Sequence, residues 1–112
     1  MKTAIVVLSL MAGTGFGKSL FCRMRVGPIE GKYYTLEKNF PNFEATSLEM
    51  TIGGYQFQGG IGATNAIQVD LDKAPFIQAN PLARASVDPD NFEMWYRSSY
   101  DSESAGLECY AG

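Results

Sequence analysis

Carboxylates in the later part of the chain are the side chains best suited to acid–base or metal chemistry. Calcium binds where several oxygens converge at about 2.3–2.6 Å, and a glycosidase pair needs two carboxyl groups about 5–10 Å apart. The chain has no Asp-x-Asp-x-Asp-Gly loop, and solvated turns explain the same acidic pattern. A metal-binding or hydrolytic domain is therefore an alternative rather than the leading hypothesis. Its candidate ligands are Asp70, Asp72, Asp88, Asp90 and Asp101.

Histidine is absent from the sequence. This absence excludes Ser-His-Asp and Cys-His catalysis and removes the commonest metal ligand, which leaves carboxylates, Lys, Tyr, Ser and Thr for any reaction. We therefore expect a protein that is not an enzyme and that needs no cofactor.

Aromatic side chains supply the second kind of candidate site. Tyr and Trp on an exposed sheet face can stack on sugars or anchor a protein partner, although cross-strand packing in a core explains most such residues. Alternation in the segment 92–98 places Trp95 opposite Phe92, Met94 and Tyr96, so Trp95 should point outward if the others form the core. Trp95, Tyr96 and Tyr100 are the resulting binding candidates.

Arg84 is a further candidate because it lies in the irregular segment 81–86. A loop of a disulfide-bonded domain that presented this arginine could inhibit a protease. An ordinary edge strand is the simpler interpretation of the same residues.

The chain contains two cysteines, Cys22 and Cys109, both on strand-like segments with apolar neighbours. In an oxidising compartment two such thiols usually pair. Redox catalysis is disfavoured because catalytic dithiols lie close together in sequence. We expect a structural disulfide that closes nearly the whole domain.

The first residues have two interpretations. Lys2 followed by an apolar run from Ala4 to Ala12 is typical of a signal peptide and is too short to span a bilayer. Small residues permit a cut after Gly17 or Ser19. We therefore expect residues 1–17 to be a signal peptide, residues 18–112 to be a single β-rich domain closed by the disulfide, and the protein to be exported, either periplasmic or secreted.

Residues Ala12 to Ser19 also resemble the P-loop of nucleoside triphosphatases, with Ala12 where the strict motif has Gly. The resemblance implies phosphate binding by the loop and Lys18, and magnesium binding by Ser19. A P-loop must open a helix within a parallel sheet. The residues that follow alternate like a strand, which favours the signal peptide and leaves nucleotide binding as an alternative.

Short alternating segments punctuated by Gly and Pro dominate the rest of the chain. A turn is expected over 27–31, a hairpin at Gly53-Gly54 and a break at Gly59-Gly60. The pattern predicts an all-β fold, a small antiparallel sandwich or barrel of about seven or eight short strands behind the signal peptide. The strands are expected over 20–26, 32–38, 44–52, 55–58, 63–72, 83–88 and 92–98 and around 107–109.

Charge limits the possible partners. The formal net charge is −3, and the basic residues are scattered along the sequence. Nucleic acid binding needs a clustered positive field, so it is disfavoured, and no transmembrane segment is expected in the mature chain. The leading hypothesis is an exported, non-catalytic domain that binds a protein or glycan surface or has a structural role.

Overall fold

The computed structural model describes residues 19–63, 66–76, 80–100 and 102–111. These residues form eight β-strands and one short 3-10 helix. The all-β prediction of seven or eight strands is confirmed. The elements are β1 (Leu20–Ile29), β2 (Lys32–Phe40), the 3-10 helix (Ala45–Ser47), β3 (Glu49–Ile52), β4 (Tyr55–Ile61), β5 (Ile67–Lys73), β6 (Ala83–Val87), β7 (Asn91–Arg97) and β8 (Ser104–Ala111).

The strands form two antiparallel sheets of four. Sheet A has the order β2-β1-β8-β7, and sheet B has the order β3-β4-β5-β6. Sheet B is thus a meander of consecutive strands, whereas sheet A joins the first two strands of the fold to the last two. As a result, β1 and β8 lie side by side in the middle of sheet A.

One hydrophobic core lies between the two sheets. On β1 the buried positions alternate with more exposed ones, so that Leu20, Cys22 and Met24 face the core. Sheet B contributes Phe57 from β4 and Val69 from β5, both fully buried. Because side chains of a strand alternate between its faces, each strand of sheet A has an outer face that the core does not use. The candidate site lies on that outer face.

The predicted strand over 44–52 is wrong in its first half. The 3-10 helix occupies Ala45–Ser47, and only Glu49–Ile52 is a strand. The Ser47 hydroxyl donates a hydrogen bond of 2.6 Å to the Glu44 carbonyl and accepts one of 3.1 Å from the Glu44 amide. Such local side-chain bonds compete with strand pairing.

Two glycine segments also depart from the predicted breaks. Strand β1 continues to Ile29 through an irregularity in its pairing with β2, and the turn is confined to Glu30 and Gly31. Strand β4 runs through Gly59-Gly60 to Ile61 instead of ending there. A Cβ at Gly59 would collide with the Ala45 carbonyl, so this glycine provides room for the 3-10 helix rather than a break.

The predicted Cys22–Cys109 disulfide is confirmed. The two residues are directly opposite each other on β1 and β8, with Cα atoms 4.1 Å apart, and both are fully buried. The bond therefore joins the first and last strands at the centre of sheet A.

The predicted signal peptide, residues 1–17, lies outside the described residues, as does the P-loop-like segment except for Ser19. A strand, not a helix, begins at Leu20. The helix that a P-loop must open is therefore not present after Ser19. Within the part of the chain that the structure describes, no helix is long and apolar enough to cross a membrane.

Candidate functional site

Trp95 lies on the outer face of sheet A. On β7, Phe92 and Met94 are buried in the core, whereas Trp95 keeps 52% of its surface exposed. This orientation is the one that alternation predicted. A large aromatic ring at the surface of a strand is a candidate for binding, because a ligand that covers its apolar area removes that area from water, which is favourable.

Gly106 of β8 supports the Trp95 ring. The two residues are directly opposite each other in the pairing of β7 and β8. A Cβ at position 106 would overlap three atoms of the indole, so only glycine lets the ring lie flat over the neighbouring strand. The indole Nε1 donates a hydrogen bond of 3.1 Å to Glu93 Oε1, which orients the ring. The Trp95 ring therefore lies flat against the sheet and points towards β1.

Tyr33 of β2 lies against Gly27 of β1. Gly27 has a φ of 146°, and a Cβ there would approach the Lys32 carbonyl oxygen to 2.7 Å and the Tyr33 ring to 2.8 Å. The Tyr33 side chain remains 75% exposed. Since Gly106 pairs with Arg25 and Gly27 pairs with Ser104, the two glycines are diagonal neighbours, about 7–8 Å apart in a regular sheet.

The two rings border a shallow pocket of about 250 Å³. Ser104 at its floor donates a hydrogen bond of 3.0 Å to the Gly27 carbonyl. The Arg25 side chain is exposed and forms no hydrogen bond or ion pair within the described residues. We call this feature the aromatic pocket; it is lined by Arg25, Val26, Gly27, Tyr33, Trp95 and Ser104.

A row of charged residues runs across the strands beside the aromatic pocket. The register places Glu93, Glu108, Arg23 and Glu37 in line on β7, β8, β1 and β2. Arg23 Nε is 2.8 Å from Glu37 Oε2, so one acid of the row is paired with the arginine. The pocket is thus bordered on one side by polar, mostly acidic surface.

The other predicted binding residues lie elsewhere. Tyr96 is half-buried and packs against the core, on the opposite face of β7 from Trp95. Tyr100 is 97% exposed in the turn after β7 and does not line the aromatic pocket. Arg84 is on β6 at the edge of sheet B, where its Nε donates to Asp70 Oδ1 at 2.8 Å and its Nη2 to Oδ2 at 3.1 Å. Of the predicted residues, the structure brings only Trp95 to this pocket.

The carboxylates proposed as metal ligands are dispersed. Asp70 pairs with Arg84, and Asp88 accepts a hydrogen bond of 2.8 Å from the Asp90 amide. Asp72 is almost fully buried, and this burial, followed by the nearby charge of Asp70, raises the pKa of its carboxyl above the ordinary value. Asp101 lies outside the described residues. Among the residues that are described, no three potential metal ligands of the His, Cys, Asp and Glu types lie together.

A polar cluster that the sequence did not suggest joins the two sheets. Glu103 precedes β8, and its Oε1 accepts hydrogen bonds of 2.6 Å from the Tyr55 hydroxyl and 3.2 Å from Lys73 Nζ. Burial, together with the bond to Glu103, raises the pKa of Tyr55 to about 12. The bond to Glu103 also raises the pKa of Lys73. The cluster holds the loop before β8 against the ends of β4 and β5.

Two residues of the aromatic pocket, Arg25 and Tyr33, were not predicted as site residues. They belong to strands far from Trp95 in sequence, and alternation within one strand does not relate them to it. Only the pairing of β8 with both β1 and β7 brings them beside Trp95.

Comparison with known proteins identifies no relative: no protein-family model, no curated protein and no solved structure matches the chain.

Proposed function

We propose that this protein is an exported, non-catalytic binding domain that holds a sugar ring in the aromatic pocket. The observation that carries the proposal is the pair of exposed rings, Trp95 over Gly106 and Tyr33 over Gly27. The C–H faces of a sugar ring are apolar and its hydroxyls are polar. Such a ligand suits aromatic walls with a few polar groups between them.

The size of the pocket supports a single ring. Its volume of about 250 Å³ is below the roughly 300–1,000 Å³ of sites for drug-sized molecules. A stable protein interface buries roughly 800 Å² on each partner around an apolar centre. The charged row separates the two rings from Tyr110 and Phe21, the next apolar side chains on this face. The exposed apolar area is therefore suited to a glycan more than to a protein partner.

The position of the pocket also favours a ligand that is bound by side chains and not by backbone hydrogen bonds. Peptides commonly bind by adding a strand to a sheet edge. The pocket floor belongs to β1 and β8, whose backbone groups are paired on both sides within sheet A. A peptide lying there would find no backbone partners, whereas a sugar needs only ring faces and polar side chains.

Export is supported by the buried disulfide together with the signal-peptide pattern of residues 1–17. Disulfides form and persist in oxidising compartments. The mature mass of the protein from the producing cell, measured without reductant, reports cleavage and disulfide state together.

The binding proposal is tested by glycan-array screening followed by titration of the best ligand, with the variants Trp95→Ala and Tyr33→Ala. Each variant loses one stacking ring, and we expect affinity to fall by about tenfold or more. The matched control is Tyr100→Ala, which removes an even more exposed aromatic ring outside the pocket. Equal binding by the Trp95 variant and the control would refute the proposal.

A further inference from the structure

We infer that the ligand of the aromatic pocket is an acidic sugar, whose ring carboxylate is bound by Arg25. This inference rests on the proposed function and specifies its substrate class. The deciding observation is a cation between the two aromatic rings that no side chain among the described residues neutralises.

Arg25 differs from two other arginines on the strands. Arg23 is paired with Glu37 and Arg84 with Asp70, each through Nε at 2.8 Å. Arg25, one of the residues lining the pocket, has no such partner within the described part of the chain. A guanidinium presents a planar fork of donors that matches a carboxylate in two parallel hydrogen bonds. Because Arg25 lines the pocket, this fork lies beside a sugar ring that is stacked on Trp95 or Tyr33.

The charged row limits how much negative charge the ligand carries. Glu108 is two positions along β8 from Gly106, which is opposite Arg25, and Glu93 is opposite Glu108. These two glutamates repel anionic groups of a ligand that lie over them, and the chain as a whole has a net charge of −3. A heavily sulfated polymer would place anions over these acids. A sugar with one carboxylate per ring places only one charge in the pocket, at Arg25.

The test compares acidic oligosaccharides with their carboxyl-reduced counterparts. Oligomers of galacturonate, glucuronate and mannuronate and a sialic-acid-terminated trisaccharide are titrated into the protein, and each is repeated in the reduced, neutral form. Trp95 is the only tryptophan of the chain, so its fluorescence reports occupation of the pocket. We expect at least one acidic ligand to bind about tenfold or more tighter than its neutral form.

The variants Arg25→Gln and Arg97→Gln locate the source of that preference. Both arginines are exposed on sheet A and neither has a partner among the described residues, but only Arg25 lines the pocket. Arg25→Gln should abolish the preference for the acidic form, and Arg97→Gln should leave it intact. Circular dichroism verifies that both variants fold.

The outcomes separate this inference from the proposed function. Equal affinity for acidic and neutral ligands, or equal loss of the preference in both variants, overturns the acidic-sugar inference and leaves sugar binding in place. If no sugar, acidic or neutral, binds the wild-type protein, both are wrong.

Discussion

Glycine at position 106 determines where the Trp95 ring lies. In a regular antiparallel pair, the residue opposite a tryptophan presents a side chain that pushes the indole outward. Gly106 has none, and the ring fills the place where its Cβ would be. The pocket wall thus depends on a residue that itself makes no side-chain contact.

Gly106→Ala is expected to displace the Trp95 ring towards solvent. The added methyl overlaps the indole, but the ring is half-exposed and is free to move, so the cost in stability should be modest, about 1 kcal/mol. The fluorescence emission should shift to longer wavelength, iodide should quench it more strongly, and sugar affinity should fall.

A second variant tests whether the ring overlap is the cause. If it is, Gly106→Ala should destabilise a protein that already carries Trp95→Phe less than it destabilises the wild type, because phenylalanine has no second ring. Equal destabilisation in both backgrounds, or unchanged emission in Gly106→Ala, would contradict the proposed role of the glycine.

Residue-level prediction succeeded where it depended on one strand. The outward position of Trp95 follows from the alternation of Phe92 and Met94 alone. Asp72 shows the limit of this reasoning: it alternates with Val69 and Leu71 and should be solvated, yet it is 3% exposed. Burial of an outward position depends on which segments cover the sheet, and alternation carries no information about them.

At the scale of elements, the contact between Tyr55 and Glu103 fastens sheet B to sheet A. Tyr55 pairs with Lys73 in sheet B, and Glu103 lies just before β8 of sheet A. The tyrosine is 1% exposed, and its hydroxyl finds a charged partner instead of water. A buried hydroxyl without a partner is costly, so this contact stabilises one relative placement of the two sheets.

The raised pKa of Tyr55 predicts that stability falls as the pH rises from 10 to 12. Above pH 10 the unfolded chain loses the tyrosine proton, whereas the folded protein retains it until about pH 12. The unfolded state therefore binds fewer protons in this window, and the free energy of unfolding decreases with pH by up to roughly 2–3 kcal/mol. Urea unfolding at a series of pH values measures the slope.

Tyr55→Phe is the matched control for this pH dependence. It removes the titrating hydroxyl and keeps the ring, so the variant should have lower stability at pH 8 and a flatter profile above pH 10. The difference between the two stability profiles is the relevant quantity, because contributions that both proteins share cancel in it. Parallel profiles for the two proteins would show that Tyr55 does not carry the effect.

Element boundaries were predicted best where one physical signal acted alone. The Gly53-Gly54 hairpin between β3 and β4 agrees with the sequence, because both glycines adopt positive φ. Gly59 is also a glycine, but its role is to let the 3-10 helix approach β4. Sequence does not distinguish a glycine that turns the chain from one that admits a neighbouring backbone.

At the scale of the whole molecule, the aromatic pocket depends on the order of strands in sheet A. Trp95 and Tyr33 come from opposite ends of the fold and meet across β8 and β1. The sequence predicted the number of strands but not their order, since meander and Greek-key arrangements have the same alternation of apolar and polar residues. The pocket was therefore beyond the reach of sequence reasoning, although the outward position of Trp95 was predicted.

The disulfide fixes that same strand order. Cys22 and Cys109 are separated by 87 residues and join β1 to β8 on the core side of sheet A. In the unfolded chain the bond closes a loop of nearly the whole domain, which removes about 4 kcal/mol of denatured-state entropy in the chain-entropy model. For a domain whose total stability is about 5–15 kcal/mol, this is a large share.

Replacing both cysteines by alanine is therefore expected to lower the free energy of unfolding by about 4 kcal/mol, measured by urea titration. The wild-type protein under mild reductant is the control: both sulfurs are fully buried, so the bond should persist until the protein unfolds. If the wild-type protein is instead reduced in denaturant and then refolded, its free energy of unfolding should equal that of the double variant.

Because β1 and β8 form the pocket floor, sugar affinity in the folded double variant should change little, whereas the concentration of urea that abolishes binding should fall with stability. A double variant as stable as the wild type would mean that strand pairing alone holds the two ends together.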